Sequence, residues 1–337
     1  MPQRAVLLFA GGLDSLLAAY VLQQQAIDVQ LLHIQTPSGC AAHNIEQAAQ
    51  SLHLPLHQWP AGSDYVSQLA APPQLGHLPA DCCCGCRVHL LRLGGQFCRE
   101  IQADFLATGE VLGQRPAERS RLTLASSAQQ AGVHDILLRP LSAKLLPYTP
   151  MELSGLVQRE RLFSFSGRGR HAQLKQARRW QLSYIPAPLL ECPLRQRALS
   201  HKLRWLLSQS TPPTAWHFSL LPIGRHFCLP TNATAVVGRH AAENAQLQHH
   251  FAQPQAPPCL LLEPQHFTGP TVLLTGPTLH PHHLTLVSGL LHRYSRPSST
   301  DRWATVQPTA SLNSPHSWPD TTPIVSHLEA NQLTSLG

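Results

Sequence analysis

The sequence predicts an α/β chain: a parallel sheet with helices on both faces, then a basic helical segment and a smaller α+β domain. Three observations carry that expectation. Short apolar runs alternate with helical stretches over the first 150 residues, a cluster of basic residues follows, and shorter strand-like pieces take over beyond it. Strands alternating with helices imply βαβ units, whose crossovers cover both faces of a parallel sheet.

The elements justify this in order. Ala5 to Phe9 (AVLLF) is a continuous apolar run ending at Gly11-Gly12, the pattern of a buried parallel strand followed by a tight turn. A helix is expected over Ser15–Gln24, a strand over Val29–Ile34, and a helix over Asn44–Leu52 with Asn44 as its N-cap. Another helix is expected over Val88–Ile101, and strands over Asp104–Thr108 and Ile136–Leu141. From Met151 the pattern changes to helices over Met151–Arg161, His171–Trp180 and Arg197–Leu207, with extended chain at Tyr184–Pro193. Strand-like pieces follow at Ala233–Val237, Cys259–Leu262 and Thr271–Leu274. Beyond Arg296 the chain is rich in Ser, Thr and Pro without apolar periodicity, which reads as a disordered tail. The expected domains are therefore 1–150, a basic segment 151–210, a small domain 211–295 and a tail 296–337. No signal peptide or membrane-length apolar run is read, so a soluble, cytoplasmic protein with no membrane partner is expected.

Charge is unevenly placed. Arg159–Arg204 holds eleven Lys/Arg against two acids, a local +9 within a chain of net +7. A concentrated basic segment is what a polyanion-binding face looks like, against the bland alternative of a solvated helix surface.

Ala10-Gly11-Gly12-Leu13-Asp14-Ser15 joins the first strand to the first helix. Two glycines let the backbone approach a phosphate, and the helix start aims free N–H groups at the same spot. Ser15 offers a hydroxyl, and Asp14 can hold Mg²⁺ or a metal-bound water. The GK[ST] ending of kinase and GTPase loops is absent, which suits release of pyrophosphate. The segment resembles the SGGxDS signature of PP-loop ATP pyrophosphatases, with Ala10 where the signature has serine. Thr108-Gly109-Glu110-Val111-Leu112-Gly113-Gln114, followed by Leu138-Arg139-Pro140-Leu141, is similar to the TGExLGQ…LRPL pattern of 4-thiouridine synthetases. The resemblance implies an adenine nucleotide alpha hydrolase-like (HUP/PP-loop) fold. ATP is then expected over Ala10, Gly11, Gly12, Asp14, Ser15, Thr108, Gly109 and Gln114, with Arg115 beside them.

Cys82-Cys83-Cys84-Gly85-Cys86 contains a Cys83-x-x-Cys86 pair, and nine cysteines in all suggest metal or sulfur chemistry before structural disulfides. The pair resembles the P-C-x-x-C segment of a thiouridylase-like group. Cys192, in a proline-led loop, falls at that group's third cysteine, although Leu190-Glu191 replaces a glycine pair. Three such thiolates would fit a [4Fe–4S] cluster with one open iron, or a persulfide carrier with a resolving partner. A zinc clip or merely packed thiols is the bland alternative. Cys40, Cys98, Cys228 and Cys259 read as ordinary core or surface residues, and His280, His282 and His283 as loop rather than metal ligands.

Gly167-Arg168-Gly169-Arg170 with Gln173, Lys175, Arg178 and Arg179 resembles the GR-x-R-x-x-Q stretch of the same group, and arginine forks suit RNA phosphates. Trp180 reads as core. Val236-Val237-Gly238-Arg239 with Asn244 is similar to the VGRNxxxN segment of the RNA-binding domain of NFACT proteins, His240 standing where asparagine is usual. Arg168, Arg170, Lys175, Arg178, Arg179 and Arg239 are the expected RNA contacts. Together the resemblances imply an ATP-dependent tRNA sulfurtransferase. Asp14, Cys83, Cys86 and Cys192 would carry the chemistry, and the sulfur donor would be sulfide or a cysteine-desulfurase-derived persulfide. The alternative is a non-thiolating RNA-binding or quality-control factor on the same scaffold.

Overall fold

Apolar runs too short to span more than one layer become the centre of a sheet in the computed structural model. The structure describes residues 3–36, 45–70, 82–114, 120–186, 197–209, 213–296, 302–309 and 318–336. The chain divides into two units, Met1–Pro193 and Leu194–Gly337.

The first unit contains β1 (Arg4–Leu8), α1 (Leu13–Gln23), β2 (Asp28–Gln35), α2 (Ile45–Ser51), β3 (Leu56–Pro60) and α3 (Tyr65–Ala70). After these come α4 (Cys82–Glu100), β4 (Phe105–Thr108), α5 (Arg121–Ala131), β5 (Leu137–Leu138), α6 (Pro150–Leu153) and α7 (His171–Arg179). The five strands are parallel in the order β3-β2-β1-β4-β5. Because β1 leads to β2 on one side and pairs with β4 on the other, the strand order reverses at β1/β4. Open parallel sheets bind ligands at such a crevice, outside the carboxyl ends of the strands. Helix α1 is buried nearly all round, at Leu13, Ser15 to Ala19, Val21 and Leu22, as expected of a helix with a sheet on one side and another helix on the other. That other helix is α7, whose Ala177 shares a core with Leu13, Leu16 and Leu17. Trp180 packs on Tyr20 with tilted rings and centroids 4.6 Å apart, half-buried against the core it was expected to join.

The expected boundary at residue 150 moves. Met151, Val157, Leu162 and Ala177 belong to the same core as β1 and α1, so the basic segment up to Tyr184 is part of the first unit. The helix expected over Met151–Arg161 is also corrected: α6 ends at Leu153, and Gly155 turns the chain at φ +75°. Glu152 holds both sides of that turn, accepting from the Thr149 N–H at 2.8 Å and from Arg159 Nη1 at 2.6 Å.

The second unit contains α8 (Arg197–Leu207), α9 (Ala215–Leu220), β6 (Arg225–Cys228), β7 (Thr234–Val237), α10 (Ala241–Phe251) and β8 (Cys259–Gln265). It is completed by β9 (Val272–Thr275), α11 (Pro281–Tyr294), β10 (Trp303–Pro308), β11 (Thr321–Pro323) and α12 (Leu328–Gln332). Its sheet is antiparallel in the order β11-β10-β8-β9-β7-β6. One face packs on α11 through Leu286, Val287, Leu290 and Leu291, and the other carries Trp216, Leu220 and Leu247 from α9 and α10. This is the expected α+β domain, but larger at both ends. Helix α8 joins it through Trp205 Nε1, which donates to Thr234 Oγ1 at 3.0 Å, and through buried Lys202, which donates to the carbonyls of Leu221 and Gly224. The expected tail is corrected as well. Strand β10 pairs with β8 over six residues and buries Ala304 and Val306, α12 packs on α11, and the Leu336 N–H donates to the His226 carbonyl at 2.9 Å. His280 and His283 are corrected from loop to the start of α11. Pro281 presets the first turn, and the His280 N–H donates to His283 Nδ1 at 3.1 Å.

Burial in this unit sets a pH dependence. His226 is 4 % exposed with Nε2 3.0 Å from the Ile223 carbonyl; burial, then the nearby Lys202 cation, pushes its imidazole down to about 3. The folded state keeps it neutral while the unfolded chain takes up a proton below the ordinary value of 6.5, so stability falls as pH drops from there towards 3. At two pH units below that value the loss is about 2–3 kcal/mol. Urea unfolding followed from pH 7 to 4.5 checks this, and His226→Gln is expected to flatten the decline. An equal decline in the variant would assign it to other groups.

Candidate nucleotide and RNA sites

The glycine loop between β1 and α1 rises where the strand order reverses. Gly11 adopts φ +71°, a conformation only glycine takes without strain, and Gly12 caps α1 with extended backbone. The first turn of α1 therefore opens on the crevice with its N–H groups unclaimed by the helix. The Ser15 hydroxyl turns inward and donates to the Gly12 carbonyl at 2.9 Å. Ala10, half-buried, adds no polar group.

The second motif meets the first across β1/β4. Gln114 Nε2 donates to Asp14 Oδ2 at 2.7 Å, linking residues 100 apart in sequence. Gly109 lies against the same turn: a Cβ there would stand 2.6 Å from both the Asp14 carbonyl carbon and the Ser15 nitrogen. Thr108, at the end of β4, is 4 % exposed, and its Oγ1 has no hydrogen-bond partner. The structure thus gathers Gly11, Gly12, Asp14, Ser15, Thr108, Gly109 and Gln114 at one corner. Arg115 lies outside the described residues. Asp14 supplies a hard carboxylate beside the open start of α1, a donor type that suits Mg²⁺.

Reading the sequence alone misses the anchor beneath this corner. Arg139 Nε donates to Glu110 Oε2 at 2.7 Å, Arg87 Nε lies 3.6 Å from Glu110 Oε1, and all three residues are buried. The Glu of the TGE motif and the Arg of the LRPL motif are therefore one ion pair, with Arg87 from α4 joining them. Also missed is His33, near the end of β2, whose Nδ1 lies 3.2 Å from the Phe9 carbonyl; burial holds its imidazole below the ordinary range.

Of the cysteines, Cys192 and the side chain of Cys83 lie outside the described residues, as do Cys40 and Asn44. Cys86 is buried with Sγ 3.3 Å from the Tyr65 hydroxyl. Among the described residues no three His, Cys, Asp or Glu side chains are grouped to hold a metal, and of the three expected cluster ligands only the Cys86 thiol is described. Burial pushes the Cys98 and Cys259 thiols up to about 12 and Cys228 to about 11, which keeps them protonated at neutral pH.

On α7, Lys175, Arg178 and Arg179 are exposed opposite buried Gln173 and Ala177; Arg168 is exposed and Arg170 half-buried just before it. Free guanidinium forks on one face fit a phosphate backbone. Arg239 differs. Its guanidinium is gripped by Glu243, with Nε to Oε1 at 2.8 Å, although about half of the side chain stays exposed. Asn244 accepts from the Thr271 N–H at 3.1 Å, so it staples a loop in this structure.

Comparison with known proteins agrees with this layout. Residues 1–143 match the family model described as Thiamine biosynthesis protein (ThiI), and residues 224–320 match the NFACT protein RNA binding domain. The chain thus carries a PP-loop domain of the thiouridylase kind at one end and an NFACT-type RNA-binding domain at the other. The second match runs through β10, beyond the boundary expected at 295. No curated protein matches the chain. Among similar solved structures is a predicted subunit of tRNA methyltransferase from Methanocaldococcus jannaschii, with 18% identity over 46% of this chain and 75% of that one, TM-score 0.32. Another is a 4-thiouridine synthetase in complex with RNA and bound ATP, with 18% identity over 52% of this chain and TM-score 0.35. The chain covers 50% of that synthetase's length. Among the described residues no helix is long and apolar enough to cross a membrane.

Proposed function

We propose that this chain is an ATP-dependent tRNA sulfurtransferase that adenylates a uridine carbonyl oxygen and replaces AMP with sulfur. The observation that carries the reading is the Gln114–Asp14 hydrogen bond, 2.7 Å, which joins two separate nucleotide-site motifs at the strand-order reversal. A family match over residues 1–143 and another to an RNA-binding domain support the two ligands.

The free N–H groups at the start of α1 hold the leaving diphosphate; Asp14 would hold a Mg²⁺ ion, which would offset the phosphate charge. The uridine oxygen attacks the α-phosphorus; the bond to the β-phosphate oxygen breaks and pyrophosphate leaves. The outer sulfur of a persulfide on one of Cys83, Cys86 and Cys192 then attacks the activated ring carbon, and AMP departs with the former carbonyl oxygen. A second of these thiolates attacks the inner sulfur, breaking the S–S bond, freeing the thiouridine and leaving a cysteine disulfide that a cellular dithiol reduces. The base must be unstacked to reach the site, at a cost of about a few kcal/mol. Arg168, Arg170, Lys175, Arg178 and Arg179 hold the RNA backbone, and the C-terminal domain, including Arg239, binds the same tRNA. The persulfide sulfur comes from a cysteine desulfurase by thiolate exchange; sulfide as donor would instead attack the activated carbon directly, from the open iron of a cluster that the three thiolates would hold. The reaction belongs in the cytoplasm, where thiols stay reduced.

Nucleoside mass spectrometry of tRNA from cells with and without the gene tests this: one thionucleoside is expected to vanish, and to stay absent with Asp14→Ala. Unchanged thionucleosides would reject thiolation. Ala10, which removes a hydroxyl from the loop, favours a second reading as a non-thiolating RNA-binding factor. That reading requires the purified protein to bind tRNA without releasing AMP from ATP.

A further inference from the structure

One side chain at the nucleotide corner has no structural occupation. Gln173, in the first turn of α7, is 1 % exposed, and neither its Oε1 nor its Nε2 has a hydrogen-bond partner. Burying an amide with both ends open is costly, so native side chains of this kind are usually paired. A methionine would fill the same space without that cost.

The packing says where Gln173 lies. Just before α7 the Gly167 N–H donates to the Leu112 carbonyl at 2.8 Å, which ties the helix start to the loop after β4. At its end Trp180 packs on Tyr20 of α1. The two helices therefore run in the same direction, both starting at the carboxyl edge of the sheet. Gln173 is seven residues before Trp180, as Leu13 is seven before Tyr20, and two helical turns are close to seven residues. Gln173 also shares the buried face of α7 with Ala177, whose core neighbours include Leu13, Leu16 and Leu17. Its amide thus lies across from the first turn of α1. The Thr108 hydroxyl, equally unpartnered, ends β4 beside that turn.

The chemistry of an open amide narrows the ligand. A phosphate offers only acceptors and would leave Oε1 unsatisfied. A group with a donor beside an acceptor matches both ends, as a base edge or a ribose diol does. We propose that Gln173 holds a nucleoside at this corner, by its base edge or its ribose, while the start of α1 holds the phosphates. The assignment rests on the ATP reading of the loop. The nucleoside is either the adenosine of ATP or the target nucleoside of the RNA, two sources of one hydrogen-bonding pattern.

The test uses the full chain and the isosteric variant Gln173→Met. Removing an unpaired amide is expected to leave the ligand-free melting temperature unchanged or higher. At the same time either the Kd for ATP with Mg²⁺ or the tRNA-dependent release of AMP at saturating ATP is expected to worsen about tenfold. Weaker ATP binding without RNA assigns the adenosine; intact ATP binding with slow AMP release assigns the RNA nucleoside. Unchanged binding and turnover would overturn the proposal, and so would a lowered melting temperature that accounts for the loss. Gln173→Glu gives a second measure, since a protonated carboxyl again offers a donor and an acceptor. Its activity relative to the parent should recover as pH falls, and a flat ratio counts against the contact. Failure of the parent protein itself to bind ATP would remove the loop reading and the proposal with it.

Discussion

Gly109→Ala is expected to lower ATP-dependent AMP formation by about tenfold to a hundredfold, while the protein stays folded. The reason is where the added methyl would go. Its neighbours are backbone atoms of Asp14 and Ser15 at 2.6 to 2.8 Å, not the flexible tips of side chains. Carbon cannot sit that close to a peptide group, so the loop or the end of β4 must move by several tenths of an ångström. The displaced residues are the ones proposed to hold the phosphates. Catalysis is more sensitive to such a shift than stability is, because a misplacement of about 1 Å costs roughly a hundredfold in rate. Pyrophosphate release measured beside calorimetric melting separates the two effects. A loss of less than about threefold would mean that the loop does not position the nucleotide.

Glu110→Gln should produce the largest loss of stability, about 3–5 kcal/mol, because it strips the carboxylate from two buried guanidinium groups. For a unit of this size that corresponds to roughly 10 °C in melting temperature. Most of the cost is the uncompensated charge left on Arg87 and Arg139, so Arg87→Met introduced together with Glu110→Gln should recover part of it. Denaturant midpoints of the two single variants and the double variant form the cycle. Additive losses would show that Arg87 and Glu110 do not act together.

Much of the first unit could be read from its residues, because a buried parallel strand has to be apolar throughout. β1 and β4 are such runs, and the apolar stretch followed by a glycine pair placed the loop correctly. β3 was not legible. It is an edge strand, LHQWP, with no buried residue, so burial never imposed a pattern on it. Helix α5 escaped for a related reason: RLTLASSAQQA has a weak apolar stripe and is defined by its ends, where the Ser120 side chain accepts from the Thr123 N–H and Gly132 closes the helix left-handed. Strand β10 does alternate, with Ala304 and Val306 inward, but two buried residues within a Ser/Thr/Pro-rich stretch do not stand out.

The site was legible as motifs and not as partnerships. Nothing local in Asp14 announces Gln114, and nothing in Glu110 announces Arg139 or Arg87. These pairs exist only once β1, β4 and β5 lie side by side. Gln173 is the clearest case. Its place in a basic stretch suggested a surface, and only the packing of α7 on α1 shows that it is buried.

The residues after β11 carry one more consequence. They cross the helix at Gly289, where Ala330 packs so close that any side chain would collide, and Ser335 then bridges to Phe227 on the outermost strand. An open strand margin invites foreign chains to add themselves to the ladder. Here the polypeptide occupies that margin with its own backbone, so shortening it before residue 326 should uncover β6 and increase self-association.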